Sequence, residues 1–403
     1  MSRLTPPWLG DPSLKRLLAA LGAPALDVRF VGGCVRDALL QRPAADFDIG
    51  TPEPPEAVLK RLDSAGIRAI PTGIQHGTVT ALVDGRHYEI TSLRRDVATD
   101  GRHATVAFTT DWKVDAARRD FTMNALSLSP DGELFDYFKG ASDARVGRLR
   151  FVGDPAERIK EDHLRILRLF RFQAWYGRKA LSPILLDVCK SHRELLRTVS
   201  AERIQREIVK LLSSPNPVLA VSHMISCGIF AEVFPDCDGG QNLLKLVMAE
   251  QAYRVRPRWI IRLAAMLPIG RALSIAERLR LANADAEELR KLMTPDPEIW
   301  AAMPKPALDA ALYHGGPALI EARTVLAIAR GRQLAGWAPI FAAVRAWTPK
   351  PLPIDGAALM ARGIAEGPAV GAALAKAENL WIASGFAART LRVWPLTLVS
   401  AWA

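Results

Sequence analysis

Strand-type patterning is confined to about the first third of this chain, and this limits its fold more than any other feature. Between residues 28 and about 138, short apolar runs alternate with turn dipeptides and short amphipathic stretches. After about residue 155, apolar residues recur at spacings of three and four, which is the helical period. We therefore predict an α+β head with a small mixed sheet, followed by an all-helical C-terminal region.

The head contains two hairpins and at least one helix with clear boundaries. The stretch TVTALV-DG-RHYEITSL (78–93) predicts a hairpin, because Asp84-Gly85 suits a type I′ turn. MNALSLS-PDG-ELFDYF (123–138) predicts a second one. PPEAVLKRLDSAG (54–66) predicts a helix that starts at Pro and ends at Gly. Too few helices intervene between strands for a doubly wound sheet.

We divide the chain into three predicted segments. Residues 1–140 form the head, 141–215 a helical neck and 216–403 a helical body and tail. Within the neck, ERIKEDHLRILRLFRFQAWYG (157–177) has continuous helical spacing.

Charge and cysteine content favour a cytoplasmic protein with a polyanionic partner. The formal net charge is +11, and Lys and Arg gain affinity by displacing counterions from phosphates. The four cysteines are scattered without metal-type spacing, which favours a reducing compartment without disulfides or zinc. The N-terminal residues lack the apolar core of a signal peptide, and no apolar run approaches the ~18 residues that cross a bilayer. We expect no membrane association and infer no obligate protein partner.

Two aspartates, Asp46 and Asp48, stand one residue apart in ADFDIG (45–50). In a strand, residues i and i+2 point to the same side, so the two carboxylates would stand together and repel each other unless a cation lay between them. An isolated pair of this kind is more often the polar end of a strand than a metal site. The surrounding sequence decides between the two.

A glycine turn lies thirteen residues before the first aspartate. Gly32 and Gly33 follow the apolar run VRFV (28–31) and precede a helical stretch, so a phosphate could approach backbone N–H groups there. Arg36 would add a cation to a phosphate oxygen. The alternative is a tight turn with Arg36 on the surface.

A phosphate cradle beside a carboxylate pair is what nucleotidyl transfer requires. Two Mg²⁺ ions held by Asp46 and Asp48 would activate the α-phosphate, help to deprotonate the attacking hydroxyl and neutralise the charge of the pyrophosphate, which is two-metal-ion catalysis. Glu89, on the second strand of the first hairpin, is a candidate third catalytic carboxylate. Its alternative is a solvent-facing strand residue.

Two motifs together resemble the tRNA nucleotidyltransferase and poly(A) polymerase family, the class II branch of the polymerase-β-like nucleotidyltransferases. They are GGCVRDALLQRPAADFDIGT (32–51) and RRDFTMNALSL (118–128), and the resemblance covers roughly residues 28–215. It implies a polymerase-β-like head, with Asp46 and Asp48 as metal ligands. It also implies that Gly33, Arg36 and Arg119 contact the nucleotide.

The third block, EDHLRILRLFR (161–171), places Asp162 and Arg165 three residues apart, which makes them neighbours on one helix face. Together they offer an acceptor beside a donor fork, which matches the exocyclic amine and ring nitrogen of both cytosine and adenine. By itself such a pair is usually a solvated ion pair. The family resemblance implies base contacts for both residues and supporting nucleotide contacts for Arg168 and Arg171.

The resemblance implies a template-independent enzyme that adds CCA to tRNA 3′ ends from CTP and ATP. The polar stretch 94–118 corresponds to a loop that the family needs for A addition, and its full length favours complete CCA addition. The motif RIQREIVKLL (203–212) resembles a helix-stabilising motif with a packing role. Alternatives are a poly(A) polymerase, an enzyme adding only CC or only A, a catalytically inactive RNA-binding protein, and a small-molecule nucleotidyltransferase.

Overall fold

The computed structural model describes residues 3–44, 46–99, 104–235, 237, 241–294, 298–331, 333–387 and 391. The chain separates into two compact units, Met1–Asp236 and Cys237–Ala403. The predicted end of the neck at residue 215 therefore lies inside the first unit.

The head is built on a mixed seven-stranded sheet. Its strand order is β3-β4-β5-β2-β1-β8-β9, and a separate two-stranded sheet pairs β6 with β7. The strands are β1 Arg29–Val31, β2 Asp48–Thr51, β3 Arg68–Gly73, β4 Thr78–Val83, β5 Arg86–Ser92, β6 Arg94–Thr99, β7 Ala104–Phe108, β8 Leu126–Leu128 and β9 Leu134–Asp136.

Both predicted hairpins are confirmed. β4 and β5 pair antiparallel through the turn Asp84-Gly85, whose φ angles of 49° and 77° are those of a type I′ turn. β8 and β9 pair antiparallel in the same way. The stretch 94–118 begins with the β6–β7 hairpin, whose tip, residues 100–103, is outside the described part of the chain.

The central pair of strands decides which carboxylates meet. β2 runs parallel to β5, and Asp48 lies directly opposite Glu89 in the register. Asp46 precedes the strand and is exposed, so of the predicted pair only Asp48 lies within β2, although the charge of Asp46 still acts on Asp48. The side-by-side partner of Asp48 in the sheet is Glu89, because side chains of directly paired residues lie on the same face.

Helices of the first unit flank this sheet and continue beyond it. They are α1 Pro12–Ala20, α2 Gly33–Leu39, α3 Pro55–Ser64, α4 Trp112–Ala117, α5 Gly140–Val146, α6 Pro155–Glu161, α7 Arg165–Tyr176, α8 Pro183–Ser191, α9 Ala201–Leu212, α10 Val218–Ser226 and α11 Ile229–Val233. α3 begins at Pro, as predicted. Apolar side chains of α1, α3 and the sheet form one core that includes Leu17, Leu62, Phe30, Ile49 and Ile90.

The helix predicted over residues 157–177 is interrupted. α6 ends at Glu161, Asp162 has extended backbone (φ −149°, ψ 104°), and α7 begins at Arg165. The Asp162 carboxylate accepts a hydrogen bond from the Leu164 backbone N–H at 3.2 Å, a local bond that competes with a continuing helix. Asp162 and Arg165 therefore do not lie on one face of a single helix.

The second unit consists of helices in its described residues. They are α12 Gln241–Ala252, α13 Trp259–Met266, α14 Ala272–Arg278, α15 Asn283–Met293, α16 Lys305–Ala329, α17 Ala338–Ala346, α18 Gly356–Met360 and α19 Pro368–Ala383. α16 is kinked at Gly316 (φ 74°), next to Pro317. None of the described helices combines the length and apolar character needed to cross a bilayer. The predicted fold class, a mixed-sheet head followed by an all-helical region, is confirmed.

Candidate active site

A cavity of about 410 Å³ in the first unit gathers most of the predicted site residues. Six arginines and three aspartates contribute to its wall, so its formal charge is positive. The lining residues are Gly32, Gly33, Arg36, Asp48, Arg118, Arg119, Asp120, Asn124, Asp162, Leu164, Arg165, Arg168, Phe172 and Arg203. Of the predicted residues, all of which lie in the described part of the chain, Asp46, Glu89 and Arg171 are outside this lining.

Asp48 carries the electrostatic signature of a cation site. Burial raises its pKa, the charge of Glu89 raises it further, Arg119 partly offsets this, and Asp46 adds to it. The charges of two further carboxylates thus act on Asp48, although no three or more His, Cys, Asp and Glu side chains in the described residues form a ready-made metal site. An all-oxygen donor set whose repulsion Arg119 offsets only in part suits a hard divalent cation.

The glycine turn and Arg119 form the wall next to Asp48. Gly32 adopts φ 71°, a left-handed conformation that favours glycine. A Cβ there would lie 3.1 Å from the Arg119 guanidinium, so the turn and the arginine are packed together. Arg119 in turn pairs with the buried Asp115 at 3.1 Å, which holds the guanidinium in place. The glycine turn and a fixed cation therefore border the same cavity.

A buried hydrogen-bond chain links the head to α7. Arg168 donates to Asp120 through Nε at 2.8 Å, and Asn124 donates to the same carboxylate at 3.0 Å. The Asn124 carbonyl oxygen accepts from Arg36 at 2.6 Å. Arg36 also pairs with Asp37 at 2.9 Å and lies over the Tyr176 ring at 4.1 Å. Arg36 is consequently buried and lines the cavity, contrary to the alternative that places it on the surface.

The pKa of Asp120 is lowered to about 2. Burial alone would raise it, but the Arg168 charge and the hydrogen bonds from Asn124, Arg168 and the Phe121 amide outweigh the burial. Because the folded pKa lies below its ordinary value of 3.8, Asp120 stabilises the fold above pH 3.8, and this contribution is lost as the pH falls through about 2.

We therefore expect the wild-type protein to be more stable than Asp120→Asn at pH 5. The difference in free energy of unfolding should shrink by on the order of 2 kcal/mol as the pH falls from about 4 to 2. Denaturant titrations of both proteins across this pH range measure the difference in free energy of unfolding. The contributions of the other carboxylates cancel in this difference. A pH-independent difference would contradict the assigned role.

Asp162 is held by a partner from a distant helix. Arg203, on α9, donates to both of its carboxylate oxygens at 2.9 Å. The Asp162 side chain remains about a quarter exposed toward the cavity. Since each carboxylate oxygen has two lone pairs, Asp162 keeps acceptor capacity for a further donor. The motif containing Arg203 thus contributes a cavity residue, whereas the sequence predicted only a packing role for it.

Arg165 is positioned by α6 rather than by Asp162. Its Nη1 donates to Glu161 at 2.5 Å and to the Arg158 carbonyl at 2.8 Å. Its Nη2 donates over a longer distance, 3.3 Å, to the Arg118 carbonyl. Asp162 and Arg165 still line the same cavity, so the predicted acceptor and donor fork are both present there, but on either side of a helix break.

Arg168 and Arg171 have different surroundings in the structure. Arg168 faces the cavity and Asp120, while Arg171 pairs with Glu207 of α9 at 2.5 Å and lies over the Phe172 ring at 4.5 Å. α9 therefore fixes Arg171 and Asp162 through Glu207 and Arg203. The structure does not bring Arg171 to the cavity wall.

Sequence reasoning missed four polar cavity residues, Arg118, Asp120, Asn124 and Arg203, and also Asp115, the partner of Arg119. Asp120 and Asn124 belong to the same RRDFTMN run as Arg119, so their presence in that motif was the available signal. The pairing of Arg203 with Asp162 spans 41 residues and has no local signature.

Two family models match separate parts of the chain. The model described as the poly A polymerase head domain matches residues 28–150. The model described as a probable RNA and SrmB-binding site of polymerase A matches residues 180–239.

Curated relatives extend the similarity to the second unit. The mitochondrial CCA tRNA nucleotidyltransferase 1 of Mus musculus is 31% identical over 389 residues, which are 93% of this chain and 87% of that protein. The Danio rerio protein of the same name is 39% identical over 246 residues, and this alignment covers 60% of this chain and about half, 56%, of the relative.

A solved structure shares the whole fold. The CCA-adding enzyme of Bacillus stearothermophilus in complex with CTP superposes with a TM-score of 0.76 at 28% identity, covering 95% of this chain and 94% of that one. The likeness therefore includes both the mixed-sheet head and the helical region.

Proposed function

Because this chain belongs to the CCA-adding tRNA nucleotidyltransferase family, we propose that it extends tRNA 3′ ends with two cytidines and one adenosine, taking CTP and ATP and releasing pyrophosphate. The observation that carries this proposal is the single cavity that joins a glycine turn, Asp48 and Arg119 to Asp162, Arg165 and Arg168. A site with phosphate-binding and base-reading groups together can select a nucleotide without a template strand.

The carboxylate edge of the sheet would hold the catalytic cation. Nucleotidyltransferases of this family generally use a divalent metal ion, and we propose Mg²⁺, held by Asp48 and Asp46, with Glu89 as a candidate third ligand. The all-oxygen donor set and the raised pKa of Asp48 support this assignment. When bound, the ion would polarise the α-phosphate and acidify the attacking 3′ hydroxyl.

The phosphate end of the nucleotide would lie against the turn and the arginines. Gly32 and Gly33 line the cavity, and Arg119 is held beside them by Asp115. Arg36 and Arg168 are tied to each other through Asn124 and Asp120. These fixed cations and dipoles need no rearrangement when charge develops on the leaving pyrophosphate, which lowers the cost of its departure.

The base would be read by Asp162 and Arg165. Cytosine and adenine both present an exocyclic amine, which an Asp162 oxygen accepts, next to a ring nitrogen, which a guanidinium N–H approaches. Uracil and guanine present a carbonyl toward the carboxylate, which leaves buried acceptors facing each other. Arg203 holds Asp162 in this orientation, so the acceptor is in place before the nucleotide arrives.

We assign binding of the tRNA body to the helical residues 216–403, and a cytoplasmic location to the protein. The net charge of +11 supports a polyanionic substrate. The scattered cysteines support a reducing compartment. Cell fractionation with an epitope-tagged chain tests the location, and recovery with an organelle would refute it.

The product formed on a tRNA lacking its 3′ CCA tests the proposed function. With CTP alone we expect two added residues, and with CTP plus ATP three residues followed by termination. An unstructured RNA of equal length is the control, and it should be extended poorly.

A second candidate function is poly(A) addition, since the family model matching residues 28–150 carries that name. Long A-only tails on both RNAs, formed from ATP alone, would establish it in place of CCA addition. Termination after two cytidines in the presence of both nucleotides would instead identify a CC-adding enzyme. That outcome would contradict the inference of complete CCA addition from the full length of the 94–118 stretch.

A further inference from the structure

A second cavity, of about 370 Å³, lies in the first unit away from the nucleotide cavity. Its wall comes from the segment that follows α5, from α7 and from the start of α8, and we call it the α8 pocket. Apolar side chains, among them Leu149, Phe151, Leu181 and Leu185, form most of this wall. Its volume falls in the range of pockets that enclose a small planar group.

A residue that lines this pocket, Gln173, carries a buried, unpaired acceptor. Gln173 is 3% exposed, and its Nε2 donates to the Lys179 carbonyl at 2.8 Å. That bond identifies the other amide atom as the oxygen, Oε1, and this atom has no hydrogen-bond partner among the described residues. An unsatisfied buried acceptor costs free energy that an incoming N–H donor would recover.

The rim of the pocket is cationic. Arg148, Arg150 and Lys179 contribute to the lining, and no carboxylate does. Arg148 and Arg150 share a single carboxylate, Asp143, at 3.7 and 2.8 Å, so the rim keeps an excess of positive charge. A ligand with an apolar planar body, an N–H donor and an anionic group would satisfy all three features of the pocket.

The mouth of the pocket carries an exposed apolar side chain. Ile184, the second residue of α8, is 77% exposed and lines the pocket. It belongs to the residues that match the model described as a probable RNA and SrmB-binding site. The position of Ile184 in this match and the cationic, apolar character of the pocket therefore both favour a nucleic-acid ligand.

We propose that the α8 pocket receives one unpaired nucleotide of the RNA substrate. The base lies between the apolar side chains and donates an N–H to Gln173 Oε1, and its phosphate lies next to Arg148 and Lys179. Gln173 neighbours Phe172, which lines the nucleotide cavity, so α7 contributes one wall to each site. This inference rests on the proposed function in taking tRNA as the substrate.

Two surface variants test the rim and the mouth. Lys179→Ala should raise the KM for a tRNA lacking its CCA about threefold or more and reduce the slope of log Kd against log salt by about 0.9, as for one lost phosphate contact. Ile184→Asp should raise that KM further. The kcat for CMP incorporation should stay unchanged in both, since neither residue touches the nucleotide cavity.

Two matched controls make the same kinds of substitution elsewhere on the first unit. One removes a lysine charge, and the other replaces an exposed apolar side chain with aspartate. Lys60→Ala, on α3, and Ile74→Asp, an exposed apolar residue between β3 and β4, should leave KM and the salt slope at the wild-type values. If the pocket variants behave like these controls while the wild-type protein still adds CCA, the α8 pocket assignment is wrong and the proposed function stands. If the wild-type protein adds no CCA, the proposed function itself fails.

A buried variant tests the acceptor. Gln173→Met keeps the side-chain length and removes Oε1, and it should raise the KM for tRNA about tenfold, the scale of one buried hydrogen bond. Thermal unfolding shows whether Gln173→Met is folded. If it is not, the two surface variants, Lys179→Ala and Ile184→Asp, provide the test of the proposal. A crystal showing only a water on Gln173, with unchanged tRNA binding, would overturn the inference.

Equilibrium dialysis with AMP tests whether the α8 pocket binds a free mononucleotide or a nucleotide of the RNA strand. If Lys179→Ala and Gln173→Met weaken AMP binding but leave tRNA binding intact, the pocket takes a free mononucleotide, and the assignment to the RNA strand is overturned. Weakened tRNA binding with unchanged AMP binding supports the assignment.

Discussion

Replacing Asp48 with asparagine is expected to lower the rate of CMP incorporation about 10²- to 10³-fold or more, the scale on which one preorganised electrostatic contact acts in a transition state. The amide has the shape of the carboxylate but not its charge. CTP binding should change little, because the turn at Gly32 and the arginines of the cavity remain. Single-turnover incorporation and a CTP binding titration measure the two quantities separately.

The same substitution has a second expected effect that does not depend on activity. Burial, Glu89 and Asp46 raise the pKa of Asp48, so its charged form destabilises the metal-free fold above that pKa. Asp48→Asn should therefore be at least as stable as the wild-type protein at pH 8 without metal. Added Mg²⁺ should stabilise the wild-type protein but not the variant, because only the former binds it.

Asp63→Asn is the matched control for charge. Asp63 is an exposed residue near the end of α3 and contributes nothing to the cavity wall. It should leave incorporation, stability and the response to Mg²⁺ unchanged. An Asp48→Asn protein as active as the wild-type protein would refute the proposed metal site, and with it the proposal that Mg²⁺ held by Asp48 and Asp46 assists nucleotidyl transfer.

Asp162→Ala is expected to lower the preference for CTP over UTP by about 10- to 100-fold, the range of one charge-assisted hydrogen bond. Triphosphate binding should fall less, since the phosphate-facing arginines are untouched. Competition between labelled CTP and UTP on one tRNA measures the preference directly. Equal losses with all four nucleotides and an unchanged preference would contradict base reading by Asp162.

A structural effect of losing the Asp162 carboxylate needs its own control. Asp162 accepts from the Leu164 amide, so its removal also weakens the start of α7. Asp154→Ala removes another capping carboxylate, which accepts from the Glu157 amide at 3.0 Å, and it lies outside the cavity wall. This variant should lose stability without losing nucleotide preference. A loss of preference in both variants would assign the effect to helix destabilisation.

Local signals in the sequence were sufficient for the elements of the head. The turn dipeptide Asp84-Gly85 and the alternating residues around it predict a hairpin because both its turn geometry and its register are local properties. The Gly32-Gly33 turn and the aspartates Asp46 and Asp48 could be assigned to one site for the same reason. Asp46 lies only thirteen residues after Gly33, and helix α2 spans half of that distance.

The geometry of the base-reading groups could not be predicted from spacing. A period of three and four continues through Asp162, but its side chain bonds to the backbone and to Arg203, and the helix stops there. Likewise, the pairing of Asp48 with Glu89 depends on the parallel alignment of two strands 41 residues apart. Such long-range pairings are set by tertiary packing and leave no periodic trace in the sequence.

The buried ion pair between Asp120 and Arg168 has a consequence for building chimeras from related enzymes. Its members lie 48 residues apart, on a segment of the head and on α7. A graft that exchanges only one of these segments risks leaving a lone charge without its counterion, whereas a graft of residues 111–212 keeps the pairings of Asp120 with Arg168, Asp115 with Arg119 and Asp162 with Arg203. Crossover points placed before residue 111 and after residue 212 should therefore yield folded hybrids.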